Sequence, residues 1–175
     1  VARRFRGEFD QKVDAKGRVS IPAQFRRVIE EGDPDWDKGK QPEFVIVYGD
    51  HRRKFLECYT IKAIEEVDAK IARLPRRSPQ RQAMELLFNG QSLETSVDAD
   101  GRIVLPQRLR EKIGIGPNER AYFIGTGDTF QIWKPETFDR EQRARTEEWL
   151  NQFPEDFDPL QLLDELAGDD GEGGA

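Results

Sequence analysis

Histidine and cysteine are almost missing from this chain of 175 residues, which holds one of each, His51 and Cys58. A lone thiol cannot close an intramolecular disulfide, so no disulfide framework is available, and a reduced cysteine suits a reducing cytoplasm. One histidine and one cysteine do not make a zinc constellation, so no metal is expected. Catalysis lacks its parts too. His51 lies in a turn beside Arg52, Arg53 and Lys54, where a surface role is far commoner than that of a base. Cys58 alternates within an apolar strand, as a core residue does. Gly125-Thr126-Gly127-Asp128 has the glycines of a phosphate cradle, but it sits between two strands at hairpin spacing and no helix opens there. It reads as a turn. Neither an enzyme nor a cofactor is expected. Long apolar runs are also missing: none approaches the ~20 residues a membrane span needs, and Val1–Arg6 does not read as a signal peptide. The expectation is a soluble cytoplasmic protein.

Charge is what the chain has in quantity, and it is unevenly spread. Apolar residues make up 36% and charged residues 35%, which allows only a thin core and favours burial by self-association. The net charge of −6 argues against a nucleic-acid partner only if taken as uniform. Residues 3–27 hold Arg3, Arg4, Arg6, Lys12, Lys16, Arg18, Arg26 and Arg27 against Glu8, Asp10 and Asp14, a net of +5. Residues 155–175 hold eight carboxylates and no lysine or arginine, so the remainder of the chain carries +2. A basic start and an acidic end invite an interaction reading.

The strongest pattern is a repeat. Val13-Asp14-Ala15-Lys16-Gly17-Arg18-Val19-Ser20-Ile21-Pro22-Ala23-Gln24-Phe25-Arg26 returns 84 positions later as Val97-Asp98-Ala99-Asp100-Gly101-Arg102-Ile103-Val104-Leu105-Pro106-Gln107-Arg108-Leu109-Arg110. Self-similarity of this kind implies one body built of two related halves. In each copy Asp can hydrogen-bond backbone two residues on and Gly supplies a positive φ, so the residues read as a hairpin turn. The first tip carries Lys16 and Arg18. Arginine suits bidentate contact with phosphate or guanine, lysine suits phosphate as a point charge, and a two-stranded ribbon fits the major groove. A turn alone requires the glycine but not the arginine, and both are duplicated. Arg18 and Arg102 could instead pair with Asp14 and Asp98 to staple their own loops.

Around the motif each half reads as strand, turn, strand, short helix, hairpin, longer helix. Phe25, Val28 and Ile29 mark a helix over 22–31 and Leu109 and Ile113 its counterpart. Phe44–Tyr48 with Phe55–Tyr59, and Ala121–Gly125 with Phe130–Trp133, are the hairpins, and Trp36 is expected to tuck its loop against the body. Thr60 caps a helix ending at Pro75, Ser78-Pro79 starts another, and Pro135 opens one reaching about Leu150. Asp158-Pro159 begins a short helix showing Leu160, Leu163 and Leu166 on one side. From Gly168 onward no apolar content remains and disorder is expected.

The pattern Asp-x-Lys-Gly-Arg-apolar-x-apolar-Pro followed by a short helix resembles the AbrB-like, swapped-hairpin family of bacterial DNA-binding proteins. Two copies in one chain are similar to the MraZ family, transcriptional regulators of the division and cell-wall gene cluster. Phe5-Arg6-Gly7, both Gly-Arg turns, and Pro79 with Arg81 through Gly90 belong to the match, which covers roughly residues 5–150. The resemblance implies an α+β fold: a duplicated AbrB-like swapped-hairpin β-barrel, a pseudo-dimer of interleaved halves with flanking helices. Residues 5–77 would be the first repeat with its following helix. Residues 78–153 would be a linker helix with the second repeat and its helix, and 154–175 an acidic, largely disordered tail. It further implies a sequence-specific regulator, in most members a repressor, that forms a ring-like homo-oligomer (an octamer or similar), sits on the nucleoid and binds direct repeats in its own promoter as double-stranded DNA. The DNA-contact role carries over to Lys16 and Arg18, and with less weight to Arg6 and Arg102. Asp100, where the first copy has Lys16, is the departure, because a carboxylate at that tip repels phosphate. On this basis the first turn reads DNA and the second is structural or faces a neighbouring protomer. The competing expectation is an antitoxin-like interaction module of the same fold that uses the acidic tail.

Overall fold

The computed structural model describes residues 3–172. The first half supplies strands β1 (Glu8–Lys12) and β2 (Arg18–Ser20), helix α1 (Ala23–Glu31), strands β3 (Glu43–Val47) and β4 (Phe55–Thr60) and helix α2 (Ile61–Ala72). A connecting helix α3 (Pro79–Glu85) runs into a π-turn over Leu86–Gly90. The second half follows with β5 (Ser92–Ser96), β6 (Arg102–Val104), α4 (Gln107–Ile113), β7 (Arg120–Gly125) and β8 (Thr129–Trp133). Then come α5 (Pro135–Thr137), a π-turn over Phe138–Arg143, α6 (Ala144–Leu150) and α7 (Leu160–Glu172). Two compact units result, one ending at Phe138 and one beginning at Asp139.

The local signals act as their chemistry dictates. The Thr60 hydroxyl accepts from Ala63 N at 3.1 Å, and the Ser78 hydroxyl accepts from Arg81 N at 3.2 Å with Pro79 in the first helical position. Pro22 and Pro106 stand just before α1 and α4 as their caps, in extended conformation, rather than as their first residues. Phe25, Val28 and Ile29 are the buried stripe of α1.

Strand pairing departs from the hairpin that the residues around Asp14 and Asp98 suggest. The turns close locally, yet β1 and β2 pair with the other half and not with each other. β1 lies antiparallel to β7, with Glu8 opposite Ile124 and Lys12 opposite Arg120. β5 lies in the same way against β3, with Ser92 opposite Val47 and Ser96 opposite Glu43. β2 pairs only with β6, as Arg18–Val104, Val19–Ile103 and Ser20–Arg102. The six-stranded sheet therefore runs β1-β7-β8-β4-β3-β5, each half lending its first strand to the edge of the other's hairpin. A pseudo-twofold axis passes through the Val19–Ile103 pair of the ribbon and the Glu57–Gln131 pair at the sheet centre. This is the interleaved, swapped-hairpin α+β architecture of the AbrB-like fold.

Sheet and ribbon enclose one core. Val19 and Ile21 from one half and Ile103 and Leu105 from the other point inward to Phe44, Ile46, Phe123 and Ile132. Phe130 sits within 5.0 Å of both Phe5 and Phe25, ring centroid to centroid. Cys58 lies fully buried in this core, and burial raises its thiol pKa well above the ordinary value, so it is inert packing. A second cluster of Phe55, Tyr122, Trp133 and Phe138 is packed apart from it. In the loop after α1, buried Asp33 accepts from Asp35 N and from Glu43 N, holding both ends. Trp36 is half-buried there and donates its indole N–H to Lys40 O within the loop itself.

In the unit beginning at Asp139, Phe153 stacks on Phe157 with centroids 4.3 Å apart and meets Trp149 edge-on at 5.1 Å. The Asp158 carboxylate accepts from Leu160 N at 3.0 Å and opens α7. That helix extends to Glu172, past Gly168, where composition alone implies disordered chain. The Asp158 cap offsets about 1 kcal/mol of the nucleation cost, and propagation then adds one hydrogen bond for each residue fixed. Leu160, Leu163 and Leu166 are exposed on it. The remainder of the expected disordered stretch, 173–175, lies outside the described residues.

Candidate nucleic-acid interface

Asp14 organises the first turn. Its Oδ1 accepts from Lys16 N at 3.0 Å and Arg18 N at 2.8 Å, and its Oδ2 accepts from Arg18 Nε at 2.6 Å. Gly17 N donates to Asp14 O at 3.0 Å and Gly17 has φ +86°. Asp98 builds the second turn in the same way, Oδ1 accepting from Asp100 N and Arg102 N, both at 2.9 Å, with Gly101 at φ +77°. The donors from Arg18 and Arg102 hold the carboxyls of Asp14 and Asp98 below the usual carboxylate range. The side chains then diverge. Arg18 staples Asp14, as one of the two expectations had it, whereas Arg102 turns its Nη2 to Asp100 Oδ2 at 3.3 Å instead of to Asp98. The Nε of Arg102 is buried without a hydrogen-bond partner.

Each turn is tied to the far end of the partner strand. Leu105 N donates to Gly17 O, and Ile21 N donates to Gly101 O, both at 2.8 Å. The ribbon thus has a turn at either end and an outward face of alternate residues: Arg18, Ser20, Arg102 and Val104. In this register Arg18 and Arg102 are diagonal neighbours on one face, about 7–8 Å apart at the backbone. Lys16 extends the row at one end and Asp100 closes it at the other. The structure therefore joins Lys16, Arg18 and Arg102.

Arg6 is not joined to them. Its segment lies along the β7–β8 turn, with Phe5 N donating to Gly127 O at 2.7 Å and Gly125 N donating to Gly7 O at 2.9 Å. That is the opposite end of β1 from the Asp14–Gly17 turn, and the Arg6 side chain there is exposed.

Two arginines that the turn pattern alone does not single out stand against these turns from the opposite halves. Arg110, on α4, donates Nε to Leu105 O at 2.9 Å, and the same Nε lies 3.1 Å from where a Cβ on Gly17 would sit. Arg26, on α1, has a guanidinium nitrogen 3.7 Å from the equivalent point on Gly101, and its charge helps depress the Asp98 carboxyl. They close the two motif copies as the last identical residue, which was the available signal. Only the exchange of strands shows that each serves the other copy's turn.

Among the described residues, no group of three His, Cys, Asp or Glu side chains is placed to hold a metal, and no helix is long and apolar enough to cross a membrane. His51 is exposed in the β3–β4 turn, and Gly125–Asp128 is the β7–β8 turn.

The chain matches the family model described as "MraZ protein, putative antitoxin-like" twice, over residues 4–86 and 88–156. It is 62% identical over 168 residues to a protein of Ruegeria pomeroyi named transcriptional regulator MraZ, covering 96% of this chain and 99% of that one. Proteins of the same name in Cereibacter sphaeroides and Rickettsia akari are 48% identical over 172 residues and 35% identical over 141 residues. These matches cover 95% and 80% of this chain, and 99% and 87% of theirs.

Proposed function

Since the chain belongs to the MraZ family, whose named members are transcriptional regulators and not enzymes, we propose that it is a sequence-specific DNA-binding regulator. One observation carries this reading: a rigid two-stranded ribbon presents Arg18 and Arg102 on a single outward face, with Lys16 at its end. A ribbon of this width enters a major groove, and Arg18 keeps its role as turn staple while reading DNA. Its Nε is committed to Asp14, which leaves the Nη edge for phosphate or guanine. Lys16 supplies a point charge for phosphate; among the described residues no carboxylate lies within ion-pairing distance of it. Arg102, tied to Asp100, is the weaker contact, and Arg6, at the far end of β1, is weaker still.

The finer reading is a repressor of the division and cell-wall gene cluster, acting from direct repeats in its own promoter region. One ribbon with so few cations gives weak, salt-sensitive binding. A homo-oligomeric ring of such ribbons facing repeats one helical turn apart gains affinity through effective concentration. Such a protein works in the cytoplasm, on the nucleoid. The test is a gel-shift titration with the DNA upstream of its own gene at two salt concentrations. The wild type is expected to shift repeat-bearing DNA with strong salt dependence, and Arg18→Ala to abolish the shift without changing the oligomer. An oligomer that dissociates in Arg18→Ala reduces Arg18 to a staple and removes the claim. The exposed leucines of α7 favour a second reading, a protein-interaction module using that acidic helix. It is the better one if the core proves indifferent to DNA.

A further inference from the structure

The pseudo-twofold axis makes a physical comparison possible. Its two ends are built from equivalent residues, so any difference in charge between them comes from substitution and not from fold. At the first corner, Asp14 is shared with Arg18, the Lys16 ammonium has no carboxylate within 4.0 Å among the described residues, and Arg110 stands behind Gly17. At the second corner Arg102 is tied to Asp100, and Arg26, the counterpart of Arg110, is tied to Glu30 at 3.2 Å. The position equivalent to Glu30, 84 residues on, is Gly114, where α4 ends with φ +76°. Among the described residues, Arg110 consequently has only a neutral carbonyl, Leu105 O, as its hydrogen-bond acceptor. Its Nε is held by that carbonyl, and no carboxylate lies within 4.0 Å of its guanidinium among the described residues.

We propose that Arg110 is a third DNA-binding cation of the first turn, contributed across the strand exchange by the second half, and that its ligand is a backbone phosphate beside the nucleotides met by Lys16 and Arg18. The proposal rests on the reading that this turn binds DNA. The placement of Arg110 favours phosphate over a base edge. Arg110 is half-buried behind the turn backbone rather than on the ribbon's outer face. Its Nε is already committed, leaving the Nη nitrogens as donors. The carbonyl anchor also spares part of the side-chain entropy cost of ordering a long cation. Phosphate contacts of this kind set position and register and do not select sequence. Arg26, with its charge offset by Glu30, has no such role.

The test is fluorescence-anisotropy titration of promoter DNA against salt for the wild type and Arg110→Gln, Arg110→Lys, Arg26→Gln and Arg18→Ala. Loss of one phosphate contact lowers the log–log salt slope by about 0.9. Arg110→Gln, which keeps an N–H donor for Leu105 O, is expected to bind roughly ten-fold more weakly with a slope lower by about one. Its preference between promoter and random DNA should not change. Arg110→Lys is expected to keep the wild-type slope, and so is Arg26→Gln. A purely structural role would weaken binding in Arg110→Gln with the slope unchanged, and that result overturns the proposal. If Arg110→Gln fails to fold, the Nε–Hε resonance of Arg110 in the wild-type protein decides. It shifts on addition of DNA if the proposal holds, and stays fixed if it does not. Failure of the underlying reading looks different: the wild type then shows no salt-dependent binding, or Arg18→Ala binds as the wild type does.

Discussion

Gly17 and Gly101 occupy the same place in the two motif copies and have nearly the same backbone, at φ +86° and +77°. Any other residue in that left-handed conformation costs roughly 1–2 kcal/mol, so substitution at either site is unfavourable. What lies behind them differs. A Cβ on Gly17 would meet Leu105 O at 2.3 Å, the carbonyl that Arg110 grips, whereas a Cβ on Gly101 meets only an Arg26 nitrogen at 3.7 Å. Gly101→Ala should therefore cost about the backbone penalty alone, lowering Tm by roughly 2–8 °C. Gly17→Ala must in addition displace the junction of turn and ribbon, and should cost at least twice as much. Differential scanning calorimetry of the two variants checks this; equal losses would mean that the first turn yields easily. The carbonyl of Leu105 thus joins one residue's steric limit to another's charge placement.

The turn as an element is held by an ionised carboxylate, and that makes it sensitive to acid. Asp14 and Asp98 have folded-state pKa values below those of the unfolded chain, because Arg18 and Arg102 donate to them. The stabilisation this gives is complete above the ordinary aspartate pKa of about 4 and is lost as pH falls through the lower folded value. Asp14→Asn should flatten the fall of the urea midpoint between about pH 5 and pH 2 relative to the wild type. Parallel curves would show that the ionised form of Asp14 does not stabilise the fold. The element-level signals in the sequence were reliable where the physics is local. Thr60 and Ser78 cap the helices their spacing implies, and Phe25, Val28 and Ile29 face the core. Strand partners were not legible from the residues, because alternation shows that a strand exists and not what it pairs with. Asp14-x-x-Gly17 closes a turn whether or not its flanking strands meet. The resemblance to a swapped-hairpin family supplied that step. Nothing in the sequence marked the π-turns after Glu85 and Thr137 either, since their i, i+5 bonds use residues with ordinary helical preferences. For the site, Lys16, Arg18 and Arg102 were legible as motif residues, while Arg26 and Arg110 became neighbours of the turns only through the exchange.

At the scale of the molecule, strand exchange makes the two repeats one folding unit. β1 and β5 find their hydrogen-bonding partners only in the other half, and the same is true of β2 and β6. Cut between the repeats near residue 77, each half would lose the pairing of its first two strands. It would also expose the inner faces of Val19 and Ile21, or of Ile103 and Leu105, to water, at about 25 cal/mol per Å² of apolar surface uncovered. Phe130 would lose Phe5, Phe25 and Phe44. Neither 1–77 nor 78–153 should then fold as a monomer. Each has two ways to satisfy itself: to exchange strands with a second copy of itself, or with its complement. Only the second restores the Arg18–Val104 and Ser20–Arg102 register and places Arg110 behind Gly17. Mixing the halves should produce a one-to-one complex with the circular dichroism spectrum of the uncut chain 1–153, and the isolated halves should be unfolded or self-associated by analytical ultracentrifugation. The mixed complex should shift promoter DNA. A homodimer of 78–153 carries Asp100 at both turns and none of the first copy's Lys16, so it should not. A monomeric, cooperatively unfolding 1–77 would sink this account, because its turn would then rest on a hairpin of its own.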